Sequence, residues 1–139
     1  MKTFEQLKRF LSNIENIHYG GCGIATLAMY RFLVNKGENC SIAYLHKRYD
    51  LSCAINNLNY YRDNTNNPDA ANHVCLFYNG QFMDCSDVLN PSEYKFIIFG
   101  DEEMLVKSIE TAFWNPSFDR DVNIPLIEEF LGFSLNIKK

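Results

Sequence analysis

Residues 73–86, HVCLFYNGQFMDCS, are two apolar and aromatic runs joined by Asn79-Gly80. Aromatic and β-branched side chains suit a pleated strand, and Asn-Gly accepts the two positive φ angles of a type I′ turn, so the segment predicts a β-hairpin with a two-residue loop. That loop would pair Tyr78 with Gln81, Cys75 with Asp84 and His73 with Ser86. Residues paired across a hairpin share a face, and so do residues two apart. His73 and Asp84 are therefore expected on one side of the sheet as diagonal neighbours, with backbones about 7 to 8 Å apart and side chains able to meet. A three-residue turn would change this parity and set Asp87 opposite His73, which makes Asp87 the reserve carboxylate.

Working outward from the hairpin, the polar stretch NTNNPDAAN (64–72) separates it from a helical half. There, Phe4, Leu7, Phe10, Leu11 and Ile14 recur at helical steps, which predicts a short amphipathic helix ending before Asn16. The loop IHYGGCG (17–23) leads into IATLAMYRFLVNK (24–36), a run of good helix formers without proline, so Cys22 is expected at the start of a helix. CSIAYLHKRY (40–49) reads as a strand, with a helical turn as the alternative, and DLSCAINNLNYYRD (50–63) reads as a helix. Beyond the hairpin, YKFIIFG (94–100) reads as a buried strand. DEEMLVKSIETAF (101–113) reads as a helix with acids favouring its N-terminal dipole. After a break at Pro116, IPLIEEFLGF (124–133) reads as a last short helix with Pro125 near its first turn. Helices first, then a hairpin and a further strand, then helices, predict an α+β fold with an antiparallel sheet, in a single domain spanning 1–139.

The bulk properties narrow the function. With 139 residues, 47% of them hydrophobic, the chain can build a core without staples. A net charge of −4 argues against a general grip on nucleic acid, which needs many cationic contacts to phosphate. Five cysteines, at 22, 40, 53, 75 and 85, are an odd number without tight pair spacing, and this fits a reducing compartment better than a disulfide framework. The N-terminus lacks the apolar run of a signal peptide, and no segment approaches the roughly 20 apolar residues of a membrane span. These features together predict a cytoplasmic protein that engages neither membrane nor nucleic acid.

Cys22 is the cysteine placed for chemistry. A thiol at a helix N-terminus meets the positive end of the dipole and free backbone amides, both of which favour thiolate. The glycines around it allow close approach of a substrate, and the amide of Cys22 could donate to an oxyanion, with the side chain of Asn16 as a candidate second donor. The alternative reading is a small buried residue at a glycine turn. Cys40, Cys53, Cys75 and Cys85 read as structural. A zinc site of His73, Cys75, Asp84 and Cys85 is a sharper competitor, but it lacks the close pairing of ligands usual in structural zinc sites, so no metal or other cofactor is expected. Of the three histidines, His18 is nearest Cys22 in sequence and His46 lies in the strand-like segment. His73 is preferred as the base because the hairpin places a carboxylate beside it.

NIHYGGCGIATLAMYRFL (16–33) resembles the nucleophile segment of papain-like thiol peptidases, most closely the bacteriocin-processing peptidases that cut after a double-glycine leader. Those carry a glutamine six residues before the cysteine, then a glycine and a small-residue helix with Leu-Ala-Met; the matching positions here are Asn16, Cys22, Gly23 and Leu27-Ala28-Met29. The hairpin is similar to the family's later strand pair, with the histidine at His73 and the carboxylate at Asp84. The resemblance implies a papain-like fold, a nucleophile helix packed against an antiparallel sheet, and hydrolysis of a peptide or amide bond in a peptide or protein substrate through Cys22, His73 and Asp84. Asparagine in place of glutamine at position 16 shortens the oxyanion donor by one methylene, leaving His18 or Tyr19 as substitutes. Gly-Gly-Cys also resembles the arylamine N-acetyltransferases, although the arginine before the glycines and the acid after the cysteine are missing. Acyl transfer on the same triad, including transglutaminase-like chemistry, and an inactive papain-like binding module are the competing expectations.

Overall fold

A computed structural model describes residues 2–18, 20–46, 73–94, 96–111 and 118–137. Helix α1, Phe4–Ser12, begins at a capping box in which the Thr3 hydroxyl accepts from the Gln6 amide and the Gln6 side chain accepts from the Thr3 amide. That reciprocal pair satisfies two of the helix's orphan donors. Helix α2, Cys22–Asn35, follows the glycine loop. Its buried residues, Ile24 through Met29 with Phe32 and Leu33, run right round the helix rather than along one stripe. Such a helix must be enclosed, and α2 packs on the sheet as well as on the three other helices among the described residues.

The strands are β1 (Ser41–His46), β2 (His73–Tyr78), β3 (Gln81–Met83), β4 (Val88–Leu89) and β5 (Phe96–Gly100), in the spatial order β4-β3-β2-β1-β5 and antiparallel throughout. The hairpin forms in the expected register, with Tyr78 opposite Gln81, Phe77 opposite Phe82 and Leu76 opposite Met83. Asn79 and Gly80 have φ of 53° and 75°, the two left-handed positions a type I′ turn requires. The two-residue strand β4 was not evident from the sequence. It is too short to carry an alternating pattern.

Strand alternation divides the sheet's faces. Ile42, Tyr44, Val74, Leu76 and Met83 join the main core beneath the helices, whereas Ala43, Leu45 and Cys75 form a smaller cluster on the opposite face with Phe82, Leu89, Tyr94 and Ile97. Gly100 on β5 accommodates Tyr44, since a Cβ there would lie 2.4 Å from its ring.

Helix α3, Glu102–Thr111, is capped by Asp101, whose carboxylate accepts from the Met104 amide at 2.7 Å, and carries Glu102 and Glu103 in its first turn. Helix α4, Arg120–Leu131, starts four residues before the expected segment because Asp119 caps it, accepting from the Val122 amide. Pro125 consequently lies inside the helix rather than in its first turn. One intrahelical hydrogen bond is forgone there, and burial of Ile124 and Ile127 on either side holds the segment helical. Gly132, at φ 82°, ends it in a left-handed cap. The expected helix over 50–63, the turn over 64–72 and the break at Pro116 lie outside the described residues.

The observed architecture is α+β: four helices and a five-stranded antiparallel sheet among the described residues. None of those helices is long and apolar enough to cross a membrane.

Candidate thiol site

Cys22 is the first residue of α2, as expected. Gly21 caps the helix without a side-chain acceptor, so nothing in the cap residue competes for the amides of the first turn. Gly21 has an ordinary φ, and its lack of a side chain serves packing: a Cβ would lie 2.7 Å from the Ile17 carbonyl oxygen and 2.7 Å from the Phe118 ring. Gly23 is less constrained, facing Ile109 and Leu105 of α3 at ordinary contact distances.

The N-terminal turn of α2 meets β2 where β3 has ended. The β2–β3 ladder stops at Leu76 and Met83. Beyond it, the Val74 amide is directed at the Cys22 sulfur and favours its thiolate, and the Val74 carbonyl accepts from the Thr26 hydroxyl at 3.4 Å. Residues 22 and 26 lie one helical turn apart on the same face. They occupy the edge of β2 that β3 vacates.

Cys22 is partly buried against the core. Burial pushes its thiol pKa up; hydrogen bonds from the amides of Gly23, Val74 and Cys22 itself pull it down, and the Asp84 charge adds to the rise. The net direction is upward. The helix N-terminus favours thiolate as the sequence suggested, but desolvation outweighs it.

His73 opens β2, and Asp84 directly follows β3. His73 Nε2 stands 3.6 Å from Asp84 Oδ2. The other carboxylate oxygen, Oδ1, accepts from the amides of Ser86 and Asp87, both at 2.7 Å. Burial alone would raise the Asp84 pKa, but His73, these two amides and the nearby His18 outweigh it and hold the carboxyl at about 2. Asp84 is thus a fixed anion beside His73. Asp87, the reserve, instead lends its backbone to the Asp84 turn and has an exposed side chain.

Strand parity adds a feature that the hairpin alone did not reveal. His73 pairs with Leu45, on the face of Ala43 and Cys75, whereas α2 lies on the face of Val74 and Leu76. Cys22 and His73 approach the same end of β2 from opposite faces, with the Val74 backbone against the sulfur.

Asn16 is partly buried at φ 62°, in the turns joining α1 to the glycine loop. His18, in the same loop, has Nε2 2.7 Å from Ser86 Oγ. The sequence offered no signal for that contact, which spans 68 residues. Cys40, Cys75 and Cys85 are free thiols that burial pushes up to about 11, 12 and 11 respectively; Cys53 lies outside the described residues. Among the described residues, no group of three or more His, Cys, Asp and Glu side chains is arranged to hold a metal ion. No family model, curated protein or solved structure matches this chain.

Proposed function

We propose that this chain is a papain-like thiol hydrolase acting on a peptide or amide bond. Cys22 attacks the carbonyl, His73 accepts the thiol proton and returns it to the leaving amine, and Asp84 orients the imidazole and balances its charge. Water then resolves the acyl-enzyme. The observation that carries the reading is the His73–Asp84 pair at 3.6 Å, at the end of β2 whose next residue, Val74, turns its amide toward the Cys22 sulfur and accepts from Thr26 on the same helix face. The amides of the α2 first turn, with Asn16 as the candidate side-chain donor, would receive the oxyanion.

A second reading, a papain-like binding module without turnover, is favoured by two observations. The Cys22 thiol is raised by burial, and His73 belongs by parity to the sheet face away from α2.

Alkylation discriminates between them without a known substrate. Burial and Asp84 both raise the thiol, and an adjacent imidazolium is the group able to reverse them. Limiting iodoacetamide, with mass mapping of each cysteine across pH, should label Cys22 ahead of Cys40, with a midpoint below the ordinary thiol value of about 8.5. A midpoint above that value, or labelling no faster than Cys40, would establish the inactive module instead.

A further inference from the structure

We propose that His18 is a positioning residue of the thiol site, tying the glycine loop that leads to Cys22 to the turn that carries Asp84. The inference rests on the triad reading above. Three consecutive links support it. His18 Nε2 lies 2.7 Å from Ser86 Oγ. The Ser86 amide donates to Asp84 Oδ1 at 2.7 Å. The other oxygen of that carboxylate, Oδ2, faces His73 Nε2 at 3.6 Å. The path therefore runs from the loop before the nucleophile to the imidazole of the base.

The strap addresses a weakness of the local architecture. The β2–β3 ladder ends at Leu76 and Met83, and residues 84–87 form the turn of the β3–β4 hairpin, so the sheet fixes the acid's turn to β3 and β4 while no ladder pair reaches from the turn itself to β2. The turn is closed on itself by the Asp84 amide donating to the Asp87 carbonyl and by the two amides on Oδ1. Those contacts fix its internal shape but not its place relative to α2. The His18–Ser86 bond crosses that gap. A serine hydroxyl can donate to a neutral imidazole or accept from a protonated one, so the strap persists in either state of His18.

The test uses the full chain with iodoacetamide as the probe. The Cys22 alkylation rate is measured from pH 5 to 10 in wild type, His18→Ala, His18→Gln, Ser86→Ala, the double alanine variant and His73→Ala, with thermal unfolding recorded for each. Removing one hydrogen-bond link should slow Cys22 labelling at pH 7 by about threefold to tenfold and move the profile's midpoint upward. His18→Ala and Ser86→Ala should give the same change, and the double variant should be no slower than either, because both break one strap. His18→Gln, which can still bond the hydroxyl, should stay within about twofold of wild type. Wild-type profiles in both alanine variants, while His73→Ala shifts its profile, would overturn the strap and leave the triad standing. A loss in His18→Ala that Ser86→Ala does not share would also overturn it, since His18 would then act on the thiol directly. If His73→Ala leaves the profile unmoved, the triad reading fails, and the strap with it.

Discussion

Asp84→Asn isolates one charge. The amide oxygen of asparagine can still accept from the Ser86 and Asp87 amides, which bond Oδ1 in the wild type at 2.7 Å, so the turn should keep its shape. What disappears is the anion beside His73. The Asp84 carboxyl moves from an ordinary 3.8 to about 2 on folding, a net result in which His73, the two amides and His18 outweigh burial. A shift of that size corresponds to no more than about 2.5 kcal/mol at neutral pH. Ser86 and Asp87 are exposed, and solvent screening at such a turn reduces the expected contribution to about 1 kcal/mol. The sign follows from the direction of the shift. A carboxyl depressed in the folded state contributes fully above its unfolded value, and the contribution is lost as pH falls from about 4 through about 2. Urea unfolding of wild type and Asp84→Asn, followed by far-ultraviolet circular dichroism between pH 6.5 and 2.5, measures the difference. The variant should be less stable by about 1 kcal/mol at pH 6.5, and the gap should narrow steadily below pH 4. A difference that stays constant with pH, or a variant more stable throughout, would refute the account of Asp84 as an anion stabilised by folding.

His73→Ala should slow Cys22 alkylation at pH 7 by about tenfold or more, because a thiol whose pKa burial raises loses the counter-ion proposed for its thiolate; the mapped rate against pH is the check. Gly21→Ala should destabilise by about 1 to 3 kcal/mol, since its Cβ would meet the Ile17 carbonyl and the Phe118 ring at 2.7 Å. Gly23→Ala, with α3 side chains at 3.4 Å or beyond, should be near neutral or stabilising through helix propensity; urea midpoints of the pair test both. Thr26→Val should cost about 1 kcal/mol by removing the donor to the buried Val74 carbonyl, and an unchanged urea midpoint would show that bond to be without weight.

The hairpin was legible because its determinants are local. Asn79-Gly80 specifies the turn, the turn specifies the register, and the register puts His73 and Asp84 on one face. The start of α2 was legible for the same reason, since glycines followed by strong helix formers need no tertiary partner to be recognised. Helix α4 was misplaced at its N-terminus because Pro125 is a strong local signal for a first turn. The Asp119 cap and the burial of Ile124 and Ile127 prevailed over it.

The relation between Cys22 and His73 could not be read from local rules, because it depends on how far β3 extends. Had the β2–β3 ladder continued past Met83, the edge of β2 at Val74 would have been filled by a strand. It stops, and α2 supplies Cys22 to the Val74 amide and Thr26 to its carbonyl in the strand's place. Past the same point the chain turns back into β4, and the Asp84 turn that joins the two strands folds around its own carboxylate. One missing stretch of ladder therefore opens the β2 edge to α2, while His73, paired with Leu45 of β1, faces Asp84 from the other side of the sheet. It also explains the opposed electrostatics. Seating the sulfur against the sheet desolvates it and raises its pKa, while the turn that faces His73 lowers that of Asp84 to about 2. On the proposed reading, a reactive thiol in this setting draws its ionisation from the His73 imidazole, because burial outweighs the amides at the helix N-terminus.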